Sequence, residues 1–259
     1  MAEPVAPLTL ANVGWAPSNG DFDWDEFDSD AYFDHNYGTL RHDDETIIDI
    51  VTDFFHDAAS HRSERAIDVG AGANLYPALT MLPFAAEVVL YERAFSNREW
   101  LTSELKNHHD SWWQFWDRIA TGPAERREYA AIKSPFDLLH RRATVVKGNI
   151  FSLRPGQFDI GTMFFVAESI TTRNNEFERA TQLFVNSLRP RAPFAAAFMR
   201  DSSGYRVGSR TFPACSVDER DVWLALSPVA QGVKIQTVES DDLRDGYCGM
   251  IVATGRKRA

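Results

Sequence analysis

A run of β-favouring residues, Arg65-Ala66-Ile67-Asp68-Val69, breaks at Gly70-Ala71-Gly72 and gives way to Asn74-Leu75-Tyr76, where a helix can begin. Glycine accepts the positive φ and the close backbone approach that such a turn demands, so the run specifies a strand, a tight turn and a helix N-terminus with a ligand seat at its tip. The next apolar run, Glu87 to Glu92, reads as a buried strand whose last residue is an acid 20 positions after Gly72. A carboxylate there can accept both hydroxyl protons of a ribose. Alone, the Gly-x-Gly is also an ordinary tight turn and Glu92 also a solvated loop acid. Together, on successive strand ends at this spacing, they point to an adenosine site.

The rest of the chain fits the same architecture. Ile47, Ile48, Val51, Phe54, Phe55 and Ala58 recur at helical spacing and predict an amphipathic helix ahead of the turn. Beyond Glu92, residues 97–105 read as a helix, and Trp112, Trp113, Phe115 and Trp116 fall on a second, short one. Three further strands follow at 143–150, 158–166 and 193–200, the last two separated by a helical pattern over 174–188. Strands alternating with helices imply parallel βαβ units, whereas 232–240 and 248–256 have no helix between them and predict an antiparallel hairpin. The expected fold is α/β: a Rossmann-like, mostly parallel seven-stranded sheet, closed by that hairpin, with helices on both faces.

A chain of 259 residues, 44% hydrophobic, can form one large domain without metals or disulfides. Its net charge of −10 repels phosphate backbones and anionic membranes, so neither nucleic acid nor a membrane is an expected partner. The first residues lack a basic segment followed by a long apolar run, and no apolar stretch reaches the roughly 18 to 20 residues that span a bilayer. With only Cys215 and Cys248 and no Cys-x-x-Cys, the expectation is a cytoplasmic monomer with reduced thiols and no zinc. His108 and His109 are adjacent and diverge on a helix, so no metal is expected.

Within the site, Gly148-Asn149-Ile150 follows the third strand. The Asn149 amide can accept from an adenine amino group and donate to a ring nitrogen, and Ile150 can cover the ring face; Asn149 also suits a plain turn. Ala73-Asn74-Leu75 follows Gly72 in place of a third glycine, and no Lys or Arg falls in the turn, so a pyrophosphate is poorly served. S-adenosylmethionine, a sulfonium without phosphate, needs neither. Its positive charge suits aromatic faces, and residues 21–37 interleave acids with Phe22, Trp24, Phe27, Tyr32, Phe33 and Tyr37. Residues 1–20 read as an irregular arm with no assigned chemistry.

From about Tyr32 to the C-terminus, the chain resembles the family containing nicotinamide, phenylethanolamine and thioether methyltransferases. The resemblance rests on Ala66 to Tyr76, Val88 to Asn97, the segment Asn36-Tyr37-Gly38-Thr39-Leu40-Arg41-His42 and the terminal hairpin. It implies a class I methyltransferase domain over 46–259 behind an N-terminal arm and lid over 1–45. It also implies S-adenosylmethionine-dependent methyl transfer to an N-, O- or S-nucleophile on a small molecule, and the chain's apolar departures from the family point to an aromatic or hydrophobic one. The family's lid tyrosines fall on Tyr32 and Tyr37, its glycine-turn tyrosine on Tyr76, its ribose acid on Glu92, its cofactor asparagine on Asn97 and its adenine-side acid on Asn149. Tyr205 matches a substrate-side tyrosine and Glu168 an acid after the fourth strand.

Two departures concern the substrate. Phe164 and Phe165 stand where a small polar residue is common, and an amine-holding aspartate falls on Phe198 or nearby, with Arg200 and Asp201 just beyond. In-line methyl transfer requires alignment and exclusion of water rather than a covalent residue, and a hydroxyl or ammonium acceptor adds the need for a base. Glu168 and Asp201 are the candidates for that base, each equally open to a structural role. The tryptophans of 112–116 read as packing, with a substrate platform as the alternative. Two other uses of the same cofactor site remain open on sequence: cyclisation or cleavage of the cofactor without an acceptor, and a non-catalytic sensor.

Overall fold

The computed structural model describes residues 17–58, 63–122, 126–240 and 248–259. Most of the N-terminal arm, residues 1–16, and the connection 241–247 within the terminal hairpin lie outside the described residues.

Two 3-10 turns, Asn19–Asp21 and Trp24–Glu26, lead into α1 (Ser29–Tyr37). Asp28 caps α1 by accepting the Ala31 N–H at 3.0 Å, which satisfies one of the donors a helix N-terminus leaves open. The next helix, α2 (His42–Ala58), buries Ile47, Ile48, Val51 and Phe55 completely, the stripe legible in the sequence, with Phe54 at its margin. It begins at His42, so the expected division between 45 and 46 falls inside a helix.

The remaining elements are β1 (Ser63–Val69), α3 (Tyr76–Met81), β2 (Ala85–Glu92), α4 (Phe95–Glu104), α5 (Trp112–Thr121), α6 (Arg127–Ala130), α7 (Pro135–Arg142), β3 (Ala143–Lys147), β4 (Ile160–Phe164), α8 (Asn174–Ser187), β5 (Pro193–Met199), β6 (Tyr205–Val207), β7 (Arg210–Phe212), α9 (Glu219–Leu226), β8 (Ala230–Val238) and β9 (Met250–Lys257). Seven strands form one sheet in the order β3-β2-β1-β4-β5-β9-β8. The first five are mutually parallel, and β9 runs antiparallel to both β5 and β8. The chain winds outwards in opposite directions from β1 and β4, and a crevice opens at their carboxyl ends, where ligands bind in such sheets.

Alternation along β5 sorts its side chains between two cores. Ala195, Ala197 and Met199 join the cluster under α2, α3 and α5, while Phe194, Ala196 and Phe198 face α8 and α9. Each fully buried phenylalanine on this strand contributes about 1.5 to 3 kcal/mol. On α5, Trp112, Phe115 and Trp116 are buried in the first core, and Trp113 packs edge-on to Phe136 at 4.8 Å, so these rings are packing rather than a substrate platform. His108 stacks on Phe136, and His109 packs tilted against Phe33 and parallel to Trp100, with its Nδ1 2.8 Å from Glu104. Among the described residues no cluster of His, Cys, Asp and Glu could hold a metal.

The short hairpin of β6 and β7 was not expected from sequence. Its Phe212 stacks on Trp24 at 5.6 Å and meets Phe27 at 5.1 Å, while Arg210 pairs with Glu26. A third, small apolar cluster thus joins the N-terminal turns to an insertion after β5, and the two together form the rim of the crevice.

Candidate active site

Gly70 (φ +67) and Gly72 (φ +57) carry the turn after β1 through the left-handed region that an L side chain resists. A Cβ on Gly70 would lie 2.6 Å from the Val166 side chain, so this position also lets the turn pack against the loop after β4. Gly70 N–H donates to the Tyr91 carbonyl at 2.7 Å, and Gly72 N–H donates to Glu92 Oε2 at 2.9 Å. Glu92 Oε1 accepts the Ala94 N–H at 2.7 Å. Burial pushes the Glu92 carboxyl above its ordinary range, and the N–H groups of Ala94, Gly72 and Arg93, with the Asn97 side chain, pull it back. The carboxylate is thereby held at the cleft wall with lone pairs still available beyond these donors.

Asp68, at the end of β1, is buried. Its Oδ1 accepts from Thr162 Oγ1 at 2.7 Å, and its Oδ2 has no partner among the described residues. Burial pushes this carboxyl up to about 8, against the lowering effect of Thr162 and with a small addition from Glu92. An unpartnered buried carboxylate oxygen on a ligand cleft is costly unless a cationic group meets it.

A cleft enclosing about 980 Å³ out to its open mouth gathers most of the expected cofactor residues: Tyr32, Tyr37, Asp68, Gly70, Gly72, Glu92, Asn97, Asn149, Ile150 and Phe164, together with Tyr205. Asn97 accepts from Ser29 Oγ at 2.7 Å, which ties the start of α1 to α4 beneath Glu92. Asn149 Oδ1 accepts the Phe151 N–H at 3.0 Å and caps the turn that follows, so the turn reading of this residue holds as well, leaving its Nδ2 as the outward donor. Tyr32 and Tyr37 meet at 6.0 Å in an edge contact above the cleft.

Three expected residues are not in the lining. Tyr76 is fully buried behind it, stacked on Phe115 and edge-on to Tyr37 and Phe164, because α3 turns its first residue into the core. Burial raises the Tyr76 phenol well above its usual range, with Asp44 and Tyr37 adding to the shift. Glu168 is also completely buried: its Oε1 accepts the Met199 N–H at 3.0 Å and Ser169 Oγ at 3.2 Å, joining the loop after β4 to the end of β5. Burial pushes it to about 7. Asp201 has a left-handed backbone (φ +52), a side chain 46% exposed and an ion pair with Arg200, so it belongs to a surface turn. Neither carboxylate lines the site as a base.

Other lining residues had not been singled out. Asn19 sits in the wall, held by Arg93 Nη1 on its carbonyl at 3.2 Å and by its own N–H to Glu176 at 3.0 Å; nothing local in residues 1–20 signals this. Tyr91 joins the lining, its hydroxyl donating to the Asn149 carbonyl at 3.1 Å. Met199, not Phe198, reaches the cleft, as the alternation of β5 requires. Phe165 adopts φ +59, a strained value for a bulky residue, and its N–H donates to the Ala197 carbonyl at 2.7 Å; the strain sits at the tip of β4 beside the cleft.

A second cavity, about 1150 Å³ out to its open mouth, lies against the first and shares Tyr32, Met199 and Tyr205 with it. Its other walls come from α1 (His35, Asn36) and from the β6–β7 insertion (Ser202, Arg206, Val207). Tyr205 stacks on Phe212 at 5.5 Å and donates its hydroxyl to the Ser169 carbonyl at 3.3 Å. Although its ring edge meets solvent, burial pushes its phenol well above the ordinary range, with Tyr32, Glu168 and Glu92 adding to it, so it stays a neutral donor.

Comparison with known proteins agrees with this geometry. The fold is similar to a S-adenosylmethionine-dependent methyltransferase from Clostridium acetobutylicum (TM-score 0.55, 10% identity, 90% of this chain and 100% of that one). It is also similar to a methyltransferase from Methanosarcina mazei (TM-score 0.52, 10% identity, 79% and 96%) and to the CurJ carbon methyltransferase (TM-score 0.56, 10% identity, 93% and 62%). No curated protein matches the chain by sequence. The model of the NNMT/PNMT/TEMT family matches residues 18–258, nearly the whole chain and every residue of the cleft. The chain therefore belongs to the NNMT/PNMT/TEMT family, and is a S-adenosylmethionine-dependent methyltransferase acting on a small-molecule acceptor.

Proposed function

We propose that the first cleft holds S-adenosylmethionine and the second holds the acceptor, so that transfer takes place between them beside Tyr32, Met199 and Tyr205. The observation that carries this reading is the sharing of those three residues by two adjoining cavities. A protein that only bound the cofactor, or cleaved or cyclised it, has no need of the second.

The residues present fit the cofactor. Glu92 faces the ribose hydroxyls, Asn149 and Ile150 the adenine, and the orphan Asp68 Oδ2 the ammonium of the amino-acid end. Tyr32, Tyr37 and Phe164 offer aromatic faces to a sulfonium, with Asn97 bracing Glu92. The cofactor supplies a methyl carbon activated by positive sulfur. The chain binds and orients both partners and excludes water through the rim formed by Trp24, Phe27 and Phe212. Tyr205 donates to the Ser169 carbonyl and so is fixed at the border, where its ring and that of Tyr32 bound the acceptor.

Cys215 and Cys248 are unpaired, as suits a reducing cytoplasm, and the charge of −10 disfavours nucleic acid. No helix among the described residues is long and apolar enough to cross a membrane.

The test is calorimetric titration of S-adenosylmethionine and S-adenosylhomocysteine into the wild type and Glu92→Ala. Micromolar binding, weakened by about 1.5 to 3 kcal/mol in the variant, supports the cofactor assignment. Equal affinity in both proteins removes Glu92 from it.

A further inference from the structure

Charge is divided unevenly between the two cavities. Asp68 and Glu92 both line the cofactor cleft. Among the described residues no Asp or Glu lines the second cavity. Asp30 and Asp34 flank lining residues of α1 but are exposed and outside the lining, and Asp28, beside Gly208, caps the Ala31 N–H; Glu168 is buried on the Met199 N–H and Ser169 Oγ, and Asp201 turns out to solvent and to Arg200. Of the residues that line the cavity, Arg206, exposed on β6, carries a fixed charge, and His35 is titratable.

Arg206 differs from its neighbours on the rim. Arg210 pairs with Glu26, Arg200 with Asp201 and Glu219, and Arg93 with Asn19. Arg206 forms no ion pair among the described residues. Its position on the hairpin is fixed, opposite Thr211 in a register that also seats Tyr205 against Phe212. The lining is otherwise largely apolar and aromatic, with Tyr32, Tyr205, Met199 and Val207, and the amide of Asn36 adds polar capacity, its Nδ2 held on the Tyr32 carbonyl at 2.7 Å.

We propose that the acceptor is a small aromatic carboxylate, its ring between Tyr32 and Tyr205 and its anionic group on Arg206, and that protonated amines are disfavoured. This rests on the assignment of the second cavity as the acceptor site. A guanidinium matches a carboxylate through paired N–H donors, while an ammonium in the same place meets a like charge and no acid in the lining. In the transfer, the acceptor's nucleophilic atom supplies the electron pair of its new bond to carbon. The pair of the broken carbon–sulfur bond stays on sulfur, and any proton on the nucleophile leaves to solvent.

The experiment uses matched probes on three scaffolds, benzene, pyridine and indole, each bearing a carboxylate, a carboxamide or an aminomethyl group at the same position. Calorimetry measures their binding to the full chain saturated with S-adenosylhomocysteine, for the wild type, Arg206→Ala and Arg206→Lys. On at least one scaffold the carboxylate binds about fivefold to tenfold tighter than its carboxamide, the size of one partly solvated charge pair, and the aminomethyl probe binds weakest. Arg206→Ala abolishes the preference and Arg206→Lys retains part of it. The proposal is overturned if a carboxamide or aminomethyl probe binds as well as the carboxylate, if no probe binds at millimolar concentration, or if the preference survives in Arg206→Ala. Failure of S-adenosylhomocysteine itself to bind overturns the cofactor assignment instead, and a thermal melt of each variant separates misfolding from lost contacts.

Discussion

Gly72 donates its N–H to Glu92 Oε2 at 2.9 Å, joining two residues that stand 20 positions apart in the chain and at the ends of adjacent parallel strands. The glycine turn and the acid that point to the cofactor are therefore one hydrogen-bonded unit. In the proposed site, replacing Glu92 would remove a contact to the ligand and also free the turn, so Glu92→Gln, which keeps one acceptor, is expected to lose less affinity for S-adenosylhomocysteine than Glu92→Ala. Calorimetry of the two variants side by side measures the difference.

The two glycines of the turn differ in what surrounds them. Gly70→Ala places a methyl 2.6 Å from Val166 at φ +67 and is expected to cost about 2 to 5 kcal/mol, backbone strain plus overpacking. Gly72→Ala meets nothing closer than the Gly70 carbonyl oxygen at 3.6 Å and is expected to cost only the strain, about 1 to 2 kcal/mol. Urea denaturation of both variants checks the order, and a reversal removes Val166 as the cause.

Asp68 gives the ligand-free protein a pH dependence of definite sign. Its carboxyl is pushed from 3.8 to about 8 by burial, so between those values the folded chain keeps a proton that the unfolded chain has lost. Stability from this group is full below about pH 4 and falls as pH rises to about 8, at no more than about 1.4 kcal/mol per pH unit. Asp68→Asn is expected to flatten that decline and to raise the melting temperature at pH 8. Melting curves from pH 4 to 9 read it, and an unchanged slope in the variant assigns the decline to another group.

Glu168 is expected to act through packing rather than as a base. Glu168→Gln keeps the carbonyl that accepts the Met199 N–H and is expected to retain kcat/KM within about threefold, with an unchanged pH profile. Glu168→Ala orphans that N–H and is expected to lose about 1 to 3 kcal/mol of stability. A large loss of kcat in the Gln variant with normal stability restores the general-base role.

Arg126 lies with its side chain fully buried, its Nη2 2.7 Å from Asp53 and 3.1 Å from Asp49. It ties α2 to the segment after α5. Arg126→Ala is expected to cost about 3 kcal/mol, because it leaves Asp49 sharing only Arg118 in a partly buried site. Asp53→Asn, at a side chain 44% exposed, is expected to cost less than about 1 kcal/mol. Chemical denaturation of the pair compares them.

What the sequence determined by itself follows from short-range chemistry. Hydrophobic period fixed α2, and apolar runs between helices fixed the strands, because alternation and helical spacing are imposed by backbone geometry alone. Gly70, Gly72 and Glu92 were legible because a left-handed turn and an acid at the next strand end are both local requirements. Their meeting followed from strand order.

Tertiary structure decided the rest. Tyr76, Glu168 and Asp201 carry suitable chemistry, yet burial behind Tyr37 and Phe164, capture by the Met199 N–H and a turn at the surface keep all three out of the lining. Asn19 enters it through Arg93 and Glu176, partners 74 and 157 residues away. The β6–β7 hairpin is three residues a side and too short to carry a readable period; packing of Phe212 on Trp24 and Phe27 gives it an apolar face to bury. The first cleft is built from strand ends that the chain's own periodicity sets, whereas the second cavity is assembled from α1 and the β6–β7 insertion, whose contacts exist only once the sheet has brought them together.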